Sequence, residues 1–195
     1  RFFRKYIVSS YKPPLDDIKF CIRHLAKIEN TLTFDAFEGI EVDDLEQVLD
    51  EAGKFAADVI APTNVPGDLE GCSVEGNTVR TPAPFADVHA QFVENGWQSV
   101  AGPAEYDGMG LPRTVAFAVA EMCQTANLGY SLMPMLTRDA ANALEQHGDD
   151  ALKAKYLSKI VTGEWAGTMI LTEPQAGSDL AAITTRATPD GDAYR

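Results

Sequence analysis

From Leu45 the apolar residues Val48, Leu49, Ala52, Phe55, Ala56, Val59 and Ile60 recur at the three- and four-residue spacing of one helix face. This predicts an amphipathic helix, with Asp43 and Glu46 as its capping box and Pro62 as its stop. A second helix is expected from about Pro84 to Asn95, with Phe85, Val88 and Phe92 facing inward and Gly96 as its C-terminal cap. Three more are expected at 113–127, 132–147 and 149–162, the last capped by Asp149 and Asp150 and closed at Gly163. Between the first two, PTNVPGDLEGCSVEGNTVRTPAP (62–84) is rich in turn formers and reads as a long ordered loop or a short hairpin rather than a helix.

After Trp165 the pattern alternates. GTMILT (167–172) reads as a short strand and AAITTRAT (181–188) as another. Residues 188–192, TPDGD, read as a hairpin turn whose partner strand begins at Ala193. Isolated strands leave backbone groups unpaired, so the expectation is a sequence that stops inside a second domain. The expected fold class is mainly α: an N-terminal extension (1–39), a helical domain (40–166) and the incomplete start of a β domain (167–195).

Composition narrows the partners. The 195 residues are 45% hydrophobic, enough for a buried core. Sixteen Lys and Arg against 29 Asp and Glu give a net charge of -13, a field that repels phosphate backbones and anionic membranes, so nucleic acid is not expected. No apolar run approaches the roughly 18 residues of a membrane span. Cys21, Cys72 and Cys123 lie far apart and lack histidines at ligand spacing, which suggests neither a disulfide framework nor a metal site. Reduced thiols in a cytoplasmic compartment are the default. The first twelve residues, RFFRKYIVSSYK, are basic and free of acids, like a transit peptide or an added segment.

Candidate chemistry is sparse. His24, His89 and His147 are scattered and read as surface or capping residues. Gly108-Met109-Gly110 precedes a helix, but no strand leads into it, so it reads as an ordinary loop before a phosphate cradle. Tyr130, Met133 and Met135 suit either an adaptable apolar pocket or plain core. The stretch MILTEPQAGSD (169–179) offers the Thr172 hydroxyl, amides around Gly177, and Ser178 in a turn. Such neutral donors suit a pyrophosphate or a flavin pyrimidine ring, though spacing alone favours a proline turn in which Thr172 and Ser178 bond their own backbone.

TMILTEPQAGSDLAAITTRAT (168–188) resembles the signature by which acyl-CoA dehydrogenases pass from a helical domain into a β domain. PAEYDGMGLP (103–112) resembles the family's Pro-Glu-x-x-Gly-Gly-x-Gly segment, and QHGDDALKAKYLSKIVTGEWAGTMILTEP (146–174) its final helix and strand. Asp107 departs from the pattern by replacing the first glycine of the Gly-Gly pair, which puts the local backbone in question. YKPPLDDIKFCIRHL (11–25) is similar to the extension of the long bacterial branch that includes 3-(methylthio)propanoyl-CoA dehydrogenases.

The resemblance implies an FAD-dependent oxidoreductase of fatty acid metabolism that introduces an α,β double bond into an acyl-CoA thioester. It implies an electron-transfer flavoprotein or similar acceptor and a homo-oligomer. An acyl-CoA oxidase, or a non-catalytic helical interaction module, is the alternative. Met169, Leu171 and Thr172 match positions near the flavin ring; Gly177 and Ser178 match positions near the FAD pyrophosphate, and Ser178 also an acyl-CoA contact. Tyr130, Met133 and Met135 match the boundary of the acyl cavity. The family's glutamate base is expected beyond Arg195, so no catalytic residue is assigned.

Overall fold

The structure, a computed structural model, describes residues 11–195. The basic character of residues 1–12 therefore falls largely outside the described residues. Helix α1 (Leu15–Phe20) widens into a π-type turn at Cys21–Leu25, and α2 (Ile28–Thr31) is a single turn. The chain then enters α3 (Val42–Phe55), the helix whose periodicity is clearest in the sequence. Its cap lies two residues earlier than the Asp43–Glu46 box: the Glu41 amide donates to Asp44 Oδ2 at 2.9 Å.

Pro62 does not stop the chain's helical course. The backbone widens at Ala56–Ile60, where the Ala61 amide donates to Ala56 O, tightens at Ala61–Thr63, and continues into α4 (Asn64–Glu70). The changed hydrogen-bond register accommodates a residue with no amide hydrogen. Only the second half of 62–84 is the short hairpin, with β1 (Ser73–Glu75) paired to β2 (Thr78–Arg80) around Gly76-Asn77. Both its strands are exposed.

Helices α5 (Ala83–Glu94), α6 (Arg113–Ala126), α7 (Leu128–His147) and α8 (Asp150–Val161) complete the body. α3 packs on α6, α6 on α7 and α7 on α8, while α4 packs against α5 and α7. Leu45, Leu49, Ile60, Val115 and Met122 are at most 1% exposed in this core. Leaving water contributes about 1.5–3 kcal/mol for each large side chain of this kind. Gly67 lets α4 approach α5, since a Cβ there would meet the Phe85 ring at 2.7 Å.

Two polar contacts set α7 in place. Buried Asn127 caps it by accepting from the Tyr130 amide at 3.1 Å, and its Nδ2 donates to Thr63 Oγ1 at 3.0 Å. That cap starts α7 at Leu128, four residues before the expected start at 132, and Pro134 is carried inside the helix. Asp149 caps α8 as expected, accepting from the Leu152 amide at 2.8 Å.

The two strands expected after Trp165 do not form. Residues 166–172 run without a partner strand and Ile170 is 94% exposed; 181–188 is a short 3-10 turn at Leu180–Ala182 followed by irregular chain. Alternation alone cannot make a strand without a neighbouring ladder among the described residues. The hairpin does form: β3 (Pro189–Asp190) pairs with β4 (Ala193–Tyr194) across Gly191-Asp192.

Candidate functional site: a donor loop beside a cavity

Thr137 joins the two regions that bear chemistry. It is 1% exposed, donates to Met133 O at 2.9 Å, and accepts from the Gly167 amide at 3.1 Å. Gly167 can come this close because it has no Cβ, which would meet Ala140 Cβ at 2.6 Å. α7 thereby carries the root of the 168–179 loop on one side and a cavity wall on the other.

Glu173 organises that loop. Its Oε2 accepts from the Thr184 amide and hydroxyl, both at 3.0 Å, and its Oε1 accepts from the Thr185 amide at 3.0 Å and from the Thr185 hydroxyl. Gln175 Nε2 also donates to Glu173 Oε2. The Thr185 hydroxyl, then the Thr184 and Thr185 amides, hold this carboxyl well below the usual range, at about 2. Glu173 and Ala176 exchange backbone bonds of 3.1 and 3.0 Å, closing a tight turn over buried Ala176.

On either side of that turn the donors face outward. Thr172, Gly177 and Ser178 are exposed, and among the described residues neither hydroxyl has an intrachain partner, nor do the Gly177 and Ser178 amides. The self-bonded proline turn is thus not the arrangement adopted. A Cβ on Gly177 would meet nothing within 4 Å, so a ligand can reach its backbone. Met169 and Leu171 are 43% and 49% exposed on the same stretch. Free amides and hydroxyls next to exposed apolar side chains fit a flat aromatic group bearing a diphosphate.

The segment Gly108-Met109-Gly110 is not a phosphate cradle. Its amides donate to Pro103 O, Ser99 O and Gly102 O at 3.0, 2.9 and 2.9 Å, so none is left for a ligand. Asp107 takes the glycine-like conformation itself, at φ 63°, and its carboxylate accepts from Ser158 on α8. The side chain offsets backbone strain with a tether between helices. Gly108 has no such freedom: a Cβ would meet Gly102 O at 2.1 Å.

A cavity of about 340 Å³ lies between α6, α7 and the 97–103 loop. Met135 lines it; Tyr130 and Met133 do not. Tyr130 is 3% exposed and sits edge-on to Phe85 and Phe92 at 5.8 and 6.0 Å, with burial driving its phenol pKa upward. His89 is not a surface residue: half-buried, it lies 3.5 Å from the Tyr130 hydroxyl, and desolvation lowers its pKa. His24 and His147 are exposed as expected. The sequence missed the lining residues Trp97, Gln98, Ser131 and Arg138. Ser131 and Arg138 share a face of α7, whereas Trp97 and Gln98 come from the loop after α5, and no motif marks either.

Among the described residues no cluster of His, Cys, Asp and Glu could hold a metal, and no helix is long and apolar enough to cross a membrane. Residues 42–164 match the family described as acyl-CoA dehydrogenase, N-terminal domain. The 3-methylmercaptopropionyl-CoA dehydrogenase of Ruegeria pomeroyi is 43% identical over 183 residues, which are 94% of this chain and 31% of that protein. A butyryl-CoA dehydrogenase of Syntrophomonas wolfei is 31% identical, over 92% of this chain and 30% of its own length. The chain thus spans less than a third of these relatives. Butyryl-CoA dehydrogenase from Megasphaera elsdenii shares the fold, with a TM-score of 0.63 at 24% identity over 77% of this chain and 38% of that one. A chain in the structure described as the electron transferring flavoprotein of Acidaminococcus fermentans superposes with a TM-score of 0.66 at 26% identity, over 80% of this chain and 39% of its own. Helical body, donor loop and family match converge: the chain belongs to the acyl-CoA dehydrogenase family.

Proposed function

We propose that this chain forms the N-terminal portion of an FAD-dependent acyl-CoA dehydrogenase and supplies one wall of its flavin and thioester cleft. The observation that carries this is the set of unpartnered donors at Thr172, Gly177 and Ser178, in a loop that Glu173 closes on Thr184 and Thr185 and that Thr137 roots on α7. Bound flavin would supply the hydride acceptor for α,β-desaturation. The chain's own contribution is positional. Thr172 and its neighbouring amides bond the pyrimidine side of the ring, Met169 and Leu171 shield the ring from water, and Gly177 and Ser178 bond the pyrophosphate. Ser178 also contacts the acyl-CoA. Met135 bounds the acyl cavity, and Tyr130 packs on Phe92 of its wall.

The similar proteins named as acyl-CoA dehydrogenases support the thioester substrate, and the flavoprotein neighbour supports an electron-transfer flavoprotein as acceptor. A homo-oligomer in the cytoplasm completes the proposal; the three unpaired cysteines agree with a reducing compartment. The test is Thr172→Ala in the full-length protein, read by flavin retention on desalting and by the FAD dissociation constant. Loss of one hydrogen bond of about 1 kcal/mol weakens FAD about fivefold with the fold intact. Unchanged affinity overturns the assignment of the loop.

A further inference from the structure

Residues 166–195 are hydrogen-bonded to the helical body through one side chain. Among the described residues, every hydrogen bond from that segment to an earlier part of the chain meets the Thr137 hydroxyl: the Gly167 amide donates to it at 3.1 Å, and Gly167 O lies 3.3 Å from it. The bonds of Glu173, Gln175 and Asp179 all close within the segment. Beyond Gly167 the run to Thr172 has no partner strand, so the place of its donors relative to α7 is set at this root.

The hydroxyl faces two ways. It has one proton to give, and Met133 O at 2.9 Å is its nearest acceptor, which leaves a lone pair for the Gly167 amide. The helical turn beneath it needs such support. Pro134 has no amide, so the Tyr130 carbonyl one turn earlier lacks its ordinary helical donor. Side chains hold this turn instead, Thr137 on Met133 O and Gln98 Nε2 on Pro134 O at 3.2 Å. Pro134, Met135 and Arg138 of the same stretch line the cavity.

We infer that Thr137 is a positioning residue: its hydroxyl fixes the register between the donor loop, which holds the flavin, and the α7 turn, which walls the acyl chain. The inference rests on the acyl-CoA dehydrogenase reading above. At 1% exposed, Thr137 acts through Gly167 rather than by touching a ligand. Reacting atoms must lie about 3–3.5 Å apart, and a misplacement of about 1 Å can cost about a hundredfold in rate. A shifted root therefore falls on turnover more than on binding.

The test uses the full-length, FAD-loaded protein and its apoprotein. Thr137→Val keeps the shape and removes both hydrogen bonds, whereas Thr137→Ser keeps the hydroxyl and removes the methyl. Gly167→Ala leaves Thr137 intact but places a Cβ 2.6 Å from Ala140 Cβ, and it lies outside the helical body, so it serves if Thr137→Val fails to fold. Melting, FAD affinity, kcat and KM for a panel of straight- and branched-chain acyl-CoA thioesters, and hydrogen exchange of the residue 167 amide in the apoprotein are measured. Thr137→Val and Gly167→Ala are expected to lower kcat about tenfold or more, with KM and FAD affinity changed by less than about threefold. Exchange at residue 167 rises about tenfold or more in both. Thr137→Ser restores both readings. A Thr137→Val protein that turns over and exchanges like the unmutated one overturns the inference, as does a Thr137→Ser protein that behaves like Thr137→Val, or a loss carried by KM alone; each leaves the dehydrogenase reading intact. An unmutated protein that binds no FAD or oxidises none of the panel overturns that reading and the inference with it.

Discussion

The helical body and the segment after Gly167 follow different rules. In the body, apolar faces of α3, α6 and α7 meet one another, and residues such as Leu49 and Met122 are fully buried. After Gly167 the apolar residues Met169, Ile170, Leu171 and Leu180 face outward, and among the described residues there Ala176 alone is a buried hydrophobic side chain. The body is held by burial; the segment is held by one carboxylate and one threonine. A helix satisfies its own backbone, so it needs a neighbour only for its apolar face, whereas a strand needs a neighbour for its backbone as well. The segment is thus shaped by directional hydrogen bonds and keeps its remaining donors free.

That contrast can be broken in order of expected effect. Leu49→Ala removes buried volume from the centre of the body and is expected to cost about 2–5 kcal/mol, read as a lowered urea midpoint. A cost near zero would mean that the body is not the cooperative unit. Glu173→Gln is expected to do the reverse: the helical melt stays where it is, while protease cleavage within 170–186 rises and FAD binds less tightly. A shifted melt would show that the segment supports the body.

The same carboxylate gives a pH signature. Its folded pKa of about 2 lies below its ordinary 4.5, so its contribution is complete above that ordinary value and is lost as pH falls from there toward 2. Loop protection, followed by hydrogen exchange at Thr184 and Thr185, is expected to fall across that window before the helices melt. Protection that is flat with pH would remove Glu173 from its role.

The smallest effect sharpens the boundary of the body. Cys21 and Cys72 are exposed, whereas Cys123 on α6 is buried and its thiol is pushed up to about 12 by desolvation. Labelling at neutral pH, mapped by mass spectrometry, is expected to mark the first two quickly and Cys123 only on unfolding. Equal labelling of all three would mean that α6 opens locally.

Much of the body could be read from spacing. The starts and ends of α5, α6 and α8 lie within about two residues of their expected positions, because periodicity, Gly96, Asp149 and Gly163 act over one or two turns. α4 escaped notice because Pro62, Pro66 and Gly67 are local breakers, overridden here by a π-type turn and by the Phe85 ring resting on Gly67. The strands after Trp165 were expected from alternation and are not present, since a strand is a property of two segments. The donor loop stood out as a stretch of sequence, but its exposure did not. That depends on Glu173 reaching Thr184 and Thr185, 11 and 12 residues away.

By itself the sequence determined the helices α3, α5, α6 and α8 and the later part of α7, and that MILTEPQAGSD carries neutral donors without a nucleophile, for these follow from interactions between near neighbours along the chain. Only the tertiary structure decided that α7 links loop and cavity, that Asp107 spends its carboxylate on Ser158, and that Trp97, Gln98 and Ser131 share one space. Gln98 meets Pro134 across 36 residues and Asn127 meets Thr63 across 64, and contacts between groups so distant in sequence exist only once the helices have packed.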